Sequence, residues 1–198
     1  MSGPGQTLFD TPIGTCGIAW TPRGIAALQL PESSAERTRE RVLRRLAALG
    51  FASAPLASAS DEPPDGVRCA IDAILALLDG AWQSLDFIAL DESDLPDFER
   101  RVYAETRAIA PGTTLTYGEV AARIGEPGAA RAVGQALGRN PYAIIVPCHR
   151  VLAAGGAIGG FSAGGGASTK RRLLAIERAR AGAGPDLFED ELPSRDSR

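Results

Sequence analysis

Histidine is almost missing from this chain: His149 is the only one in 198 residues. Cysteine is limited to Cys16, Cys69 and Cys148, an odd number with no Cys-x-x-Cys spacing. These scarcities exclude the usual zinc ligand sets and a disulfide framework, and they fit a reducing compartment. Apolar runs long enough to cross a membrane are also lacking, as are internal repeats and any signal- or transit-peptide pattern. The expectation is a cytoplasmic protein with no membrane partner, no metal and no cofactor.

The lone histidine directly follows a cysteine, in Pro147-Cys148-His149-Arg150-Val151. A thiolate is the reactive form of cysteine, and a neighbouring imidazole, direct or through water, is a standard way to form it near neutral pH. Ala143-Ile144-Ile145-Val146 precedes the pair and Val151-Leu152 follows it, so the nucleophile is expected in a buried segment. The plain alternative is a packed cysteine beside an incidental histidine. Cys16, beside Ile18, and Cys69, on an apolar helix, are expected to be core residues.

Upstream, Thr116 and Glu119 have capping-box spacing and open a short helix whose inward stripe is Val120, Ala121 and Ile124. The turn Gly125-Glu126-Pro127-Gly128 ends it. A second helix, Ala129 to Gly138, turns Val133 and Leu137 inward. The pair reads as a helix-turn-helix. The outward face of the second helix is unusually small: Ala129, Ala130, Ala132 and Gly134, with Arg131 the only long cation and Gln135 the only amide. Small residues let a helix backbone approach a narrow minor groove closely while reading little sequence. Close helix packing within the protein is the competing explanation.

The whole chain is formally −3, which argues against a generic nucleic-acid protein. Charge by segment says more. Residues 1–99 carry 7 Lys/Arg and 15 Asp/Glu, residues 100–180 carry 12 and 4, and residues 181–198 carry 2 and 5. Counterion release is local, so the basic middle block, which coincides with the helix pair and Cys148, decides phosphate affinity.

From Thr116 to Glu177 the chain resembles the O6-alkylguanine-DNA alkyltransferases, also called methylated-DNA–protein-cysteine methyltransferases. The residues carrying the resemblance are Tyr117, Arg131 in Ala-Arg-Ala-Val-Gly, Asn140-Pro141, Pro147-Cys-His-Arg-Val151, Gly159-Gly160-Phe161-Ser162 and Leu173-Leu-Ala-Ile-Glu177. The likeness extends over roughly residues 7–181, strong after about 95 and weak before. It implies direct repair of duplex DNA: an O6-alkylguanine, or an O4-alkylthymine, is flipped out and its alkyl group moved irreversibly to the cysteine. The protein is then expected to be a monomer that acts once.

The resemblance also assigns roles. Cys148 is the acceptor, His149 takes its proton through a water, and Glu177 orients the imidazole. Tyr117 donates a hydrogen bond to the departing purine. Asn140 braces the segment carrying the nucleophile. Arg131 fills the stack vacated by the flipped nucleotide. Thr116, Tyr117, Ala129, Ala130, Ala132, Gly134 and Gln135 face DNA, while Val151, Gly159, Gly160, Phe161 and Ser162 wall the lesion pocket. Phe161 stands where many relatives have tyrosine, so a hydroxyl is lost there. The stretch Ser162–Thr169 is longer and richer in glycine than the family pattern.

The first 95 residues read as a small α/β unit. Thr7–Ile13, Thr15–Thr21 and Gly24–Leu30 form strands. Ser33 and Glu36 suggest a capping box for a helix through Leu43, Leu46 and Leu49. Phe51–Pro64 connects to an apolar helix, Val67–Leu78. Leu85–Leu90 is a strand or a linker, and the acidic Asp91–Asp97 stretch separates the halves. The carboxylates of this unit are expected on a solvated face. The fold class is therefore an α/β N-terminal domain (1–94) plus a mainly α DNA-binding domain (95–181). Residues 182–198 form an acidic tail expected to be disordered. By resemblance the first domain is ribonuclease-H-like and metal-free, and the second carries a winged helix-turn-helix-like motif.

Two rivals stand beside this reading. A non-catalytic alkylated-DNA lesion-binding protein would lack the acceptor cysteine, which is present. A Cys-His hydrolase would need an oxyanion site, and its histidine usually comes from elsewhere in the sequence.

Overall fold

Turns with glycine or proline punctuate the first thirty residues and set up an antiparallel sheet, β1 (Gly5–Thr11), β2 (Gly14–Thr21) and β3 (Gly24–Gln29), in that spatial order. The computed structural model describes residues 3–52, 62–161 and 165–178. The remaining elements are α1 (Ala35–Leu46), α2 (Asp65–Leu78), α3 (Asp97–Arg107), β4 (Leu115–Thr116), α4 (Tyr117–Arg123), α5 (Ala130–Gly138), β5 (Val151–Leu152) and α6 (Gly166–Ile176). Among the described residues no helix is long and apolar enough to cross a membrane. The expected tail, 182–198, lies outside the described residues, as does most of the Phe51–Pro64 connection.

β2 is the central strand, paired Thr7↔Ile18 on one side and Ile18↔Leu28 on the other. α1 lies across it, and Gly17 makes the approach possible. A Cβ there would meet Leu8 Cδ2 at 3.1 Å and Thr38 Cγ2 and Val42 Cγ1 at 3.2 Å. α1 begins one residue later than expected. Ser34, not Ser33, is the N-cap, its hydroxyl accepting from the Arg37 amide at 3.3 Å, so the Ser33/Glu36 box does not form. Ser34, in extended backbone (φ −154, ψ 162) directly before Ala35, is the residue in cap geometry.

On α2 the inward stripe is Val67, Ala70, Ala73, Ile74, Leu77 and Leu78. Cys69 is exposed, contrary to expectation, because it falls about 200° around the helix from Val67. Cys16 is wholly buried in the main core, and burial pushes its thiol up to about 11. Leu85–Leu90 is a linker that touches the sheet only through the Ile25↔Leu90 bridge.

The free edge of β3 ties the two halves together. Ile25 donates its amide to Ala89 and accepts one from Asp91, both at 2.8 Å, while Leu28 exchanges backbone bonds with Pro141 (2.9 Å) and Ala143 (3.2 Å). Gly24 has φ +151 and a Cβ there would collide with the Ala89 carbonyl at 2.6 Å, so only glycine fits this crossing. Asp91 corrects the expectation of a solvated acidic stretch: it is buried and accepts from Thr21 (2.6 Å), Arg23 (2.9 Å) and Ser93 (2.7 Å). Burial alone would raise its pKa, but these hydrogen bonds outweigh it and hold the carboxyl at about 2. The main core runs from Trp20 and Ile74 through Tyr103 and Val133 to Val146, immediately before Cys148.

Candidate active site

The segment leading to Cys148 is locked before the nucleophile is reached. Asn140 accepts the Tyr142 amide at 2.9 Å and donates its Nδ2 to the Val146 carbonyl at 2.8 Å, closing the loop between them. Inside this loop Ile144, fully buried, has φ +70, a costly conformation for a β-branched residue. It is held by backbone bonds from Ile145 to Ala143 (2.9 Å) and from Val146 to Tyr142 (2.8 Å). A single tight turn, Cys148–Arg150, follows and runs into β5. The parallel pairing Leu115↔Val151 and Thr116↔Leu152 then sets the start of α4, hence Tyr117, beside this turn.

The imidazole of His149 is buried and its Nε2 lies 2.9 Å from Glu177 Oε1. Arg150, also buried, clamps the same carboxylate through Nε at 2.8 Å and Nη2 at 2.7 Å, and donates Nη1 to the Ile109 carbonyl. Burial by itself would raise the Glu177 pKa; the hydrogen bonds and charges of His149 and Arg150 bring it to about 2. An ionised carboxylate fixes Nε2 as the N–H of the neutral ring. Nδ1 therefore carries the lone pair, and it is buried without a protein partner. Burial pushes the His149 pKa down, against the pull of Glu177, and pushes the half-buried Cys148 thiol up, against Asn140 and Lys170. At rest the pair is thus a thiol and a neutral imidazole.

Tyr117 lies between two glycines. A Cβ on Gly134 would be 3.8 Å from one edge of its ring, and one on Gly159 would be 3.8 Å from the other edge and 3.9 Å from the hydroxyl. Burial, and secondarily Cys148, raises the Tyr117 pKa, so the phenol stays a donor. Lys170 is fully buried with Nζ 5.7 Å from the Tyr117 ring centroid and 2.6 Å from the Val151 carbonyl. Burial lowers its pKa to about 8, with Cys148 opposing.

Cys148, Tyr117, Ala130, Arg131, Gly134, Gln135, Gly160 and Phe161 all line one open cavity of about 580 Å³. Arg131 is exposed and makes no ion pair among the described residues. Ala132 is half-buried on the same helix, whereas Ala129, the N-cap of α5, packs against the main core on the side of Val133 instead of facing outward as expected. Thr116 forms the expected capping box, accepting from the Glu119 amide at 3.2 Å while Glu119 Oε2 accepts the Thr116 amide at 2.6 Å; its hydroxyl also meets Oε2 at 2.7 Å. The hydroxyl is therefore spent within the protein. Val151, expected as a pocket wall, turns its side chain into the core and meets the site only through its carbonyl. Ser162 lies outside the described residues. Much of the glycine-rich stretch is helical, since α6 starts at Gly166.

Sequence reasoning gave no site role to Arg150, Lys170 or Gly138, and placed Leu137 only on the inward side of the second helix. Lys170 had a signal: with Leu173, Leu174 and Glu177 it follows the i, i+3, i+4, i+7 pattern of the buried α6 stripe. Among the described residues no group of three His, Cys, Asp or Glu side chains is placed to hold a metal ion.

Residues 97–179 match the family described as 6-O-methylguanine DNA methyltransferase, DNA binding domain. The methylated-DNA–protein-cysteine methyltransferase of Mycobacterium tuberculosis strain H37Rv is 46% identical over 128 residues, 64% of this chain and 74% of the relative. The crystal structure of the M. tuberculosis O6-methylguanine methyltransferase superposes with a TM-score of 0.68 at 36% identity, covering 91% of this chain and 96% of that one. The M. tuberculosis protein OGT in complex with DNA superposes at 0.60 with 34% identity, covering 90% and 95%. With sequence and fold in agreement, the chain belongs to the methylated-DNA–protein-cysteine methyltransferase family.

Proposed function

We propose that this protein repairs alkylated DNA by moving the alkyl group of an O6-alkylguanine to Cys148. The observation that carries the reading is the pinned His149. With Nε2 committed to an ionised Glu177, the basic atom left on the imidazole is the buried Nδ1, in the residue next to Cys148. Nδ1 takes the thiol proton through a water, and Glu177 stabilises the imidazolium that results. The thiolate sulfur attacks the alkyl carbon, the S–C bond forms, and the C–O6 bond breaks with its electron pair left on the purine. Tyr117, kept protonated by burial, donates to that purine as charge builds. A thioether has no mild route back to a thiolate, so each molecule acts once.

The reacting carbon is inaccessible in a stacked duplex, so the nucleotide must be swung into the Cys148 cavity. Arg131, exposed and without an ion-pair partner among the described residues, takes the vacated position. The small residues Ala130, Ala132 and Gly134 of α5, with Ala129 at its N-cap, allow close minor-groove approach, with Gln135 beside them and Thr116 and Tyr117 at the start of α4. Gly159, Gly160 and Phe161 bound the flipped base, with the Val151 backbone behind. Asn140 keeps Cys148 in register. We read α4 and α5, with β4 and β5, as a winged helix-turn-helix-like unit within a domain of residues 95–181. Residues 1–94 form a ribonuclease-H-like scaffold. The protein works in the cytoplasm as a monomer, with duplex DNA as partner and without a cofactor. A lesion binder without transfer is disfavoured by a cysteine placed beside a buried, oriented base.

Cys148→Ala tests the assignment. Alkyl transfer should vanish while affinity for lesion-bearing duplex persists, since phosphate and groove contacts lie elsewhere. Transfer surviving in this variant would refute the role of Cys148.

A further inference from the structure

Five of the seven basic residues in positions 1–99 fall within α1: Arg37, Arg39, Arg41, Arg44 and Arg45. The buried side of α1 is Thr38, Val42 and Leu46, which pack on the sheet. At 100° per residue, Arg37, Arg41 and Arg44 form one line on the opposite side, and all three are exposed. Helix stability accounts for Arg44, which sits in the last turn, but not for the whole line. Arg37 sits in the first turn, where the helix dipole disfavours a cation.

The fold places this face next to the end of the helix read as contacting DNA. A groove of about 410 Å³ runs between α1, β3 and the C-terminus of α5, lined by Arg41, Arg44, Arg45 and Arg139. It shares Leu137, Gly138, Cys148 and Phe161 with the cavity that holds Tyr117 and Arg131, so the two are continuous. Arg45 is tied to Asp94, Arg41 to Glu32 at 3.2 Å and Arg139 to Glu99 at 2.8 Å. Arg37 and Arg44 have no ion-pair partner among the described residues. The Arg41 and Arg139 side chains are 50% and 63% exposed while Glu32 and Glu99 are only 18% and 13% exposed, so each arginine reaches a phosphate with its free N–H edge while keeping its carboxylate.

We propose that the Arg37, Arg41 and Arg44 face of α1, together with Arg139, binds backbone phosphates of the duplex that α5 contacts. The DNA footprint then extends from α5 onto the N-terminal half. Arg37 and Arg44 are separated by two turns, roughly 10 Å along the axis, which matches about three phosphates of axial rise on one strand. The partner is DNA because the groove continues the lesion cavity and offers unpaired arginine to a polyanion. The inference rests on the reading of α5 as the DNA-contacting helix.

The test is the affinity of the full-length protein for a lesion-free duplex as a function of salt. Each phosphate contact adds about 0.9 to the slope of log K against log salt. Arg37→Ala and Arg44→Ala should each weaken binding and flatten the slope by about that amount, and Arg44→Lys should restore it. Arg68→Ala, on α2 and paired with Glu62 and Asp65, should leave the slope unchanged. Slopes for Arg37→Ala and Arg44→Ala that coincide with the unaltered protein would overturn the proposal, provided melting temperatures match. An equal drop for Arg68→Ala would overturn it too, as a mere effect of net charge. Alkyl transfer from a free O6-alkylguanine base by the unaltered protein reports on the functional reading alone. Failure there leaves the slopes to judge the footprint.

Discussion

His149 and Glu177, 28 residues apart in sequence, meet through a 2.9 Å hydrogen bond in a fully buried setting. The contact joins the turn carrying Cys148 to the end of α6, and Arg150 makes the same connection from the next residue. Glu177 thus serves the chemistry of the site and the stability of the fold at once.

That double role has a pH signature. The Glu177 carboxyl is held at about 2 in the folded protein against an ordinary 4.5, and Asp91 at about 2 against 3.8. Depressed carboxyl pKa values contribute stability that is present above the unfolded values and lost as pH falls through the folded ones. Melting temperature should therefore drop steeply between about pH 4.5 and 2. Glu177→Gln should melt lower at neutral pH, because Arg150 loses its buried partner at a cost of about 3–5 kcal/mol. It should also show a shallower acid limb. Parallel acid limbs in the two proteins would mean that Glu177 is not held ionised by its partners.

The transfer rate has its own profile. The Cys148 thiol is pushed above its ordinary 9.0 by burial, and His149 is pushed below 6.5. Above neutral pH the imidazole is already neutral, and the groups left to titrate beside the sulfur are the Cys148 thiol and Lys170, whose pKa burial lowers to about 8. With a free O6-alkylguanine base, transfer through neutral His149 and the neutral thiol should change little just above pH 7 and climb as free thiolate forms toward about pH 9 and beyond. A rate that stays flat through about pH 10 would show a pre-formed thiolate.

Arg131 and Tyr117 should separate flipping from chemistry. Arg131→Ala should slow repair of duplex DNA by roughly ten- to a hundredfold, the equivalent of unstacking one base, and barely change transfer from the free base. Tyr117→Phe should slow both, because leaving-group stabilisation is needed either way. Equal losses on both substrates for Arg131→Ala would assign Arg131 to the pocket or fold instead.

Features set by local chemistry were legible in the sequence. The three strands follow from short runs bounded by glycine and proline turns. The Thr116–Glu119 box follows from spacing, and the small face of α5 is visible in its composition. What sequence missed depends on where distant segments meet. Asp91 reads as one acid in an acidic run until β2 brings Thr21 and Arg23 to it. Cys69 looks like a core residue because its helix is apolar, yet only one stripe of that helix is covered. The Val151 side chain points inward because β5 pairs with β4, a register that two-residue strands do not announce. Lys170 was hidden by convention, since a lysine two turns before Glu177 is ordinarily placed in solvent.

Lys170 also permits a stability test. Its ammonium is buried against the Val151 carbonyl and beside the Tyr117 ring, so Lys170→Met would leave that carbonyl without its donor. The expected cost is about 1–3 kcal/mol in chemical denaturation. Unchanged stability would show that the buried amine contributes nothing net.

The most direct test is stoichiometry joined to peptide mapping. The protein is incubated with excess O6-methylguanine duplex, the repaired guanine is counted over time, and the digested protein is examined by mass spectrometry. Repair should plateau at one guanine per active molecule, with one methyl on the peptide carrying Cys148. Continued turnover past that plateau, or a methyl found on the peptide of Cys16 or of Cys69, would contradict the account.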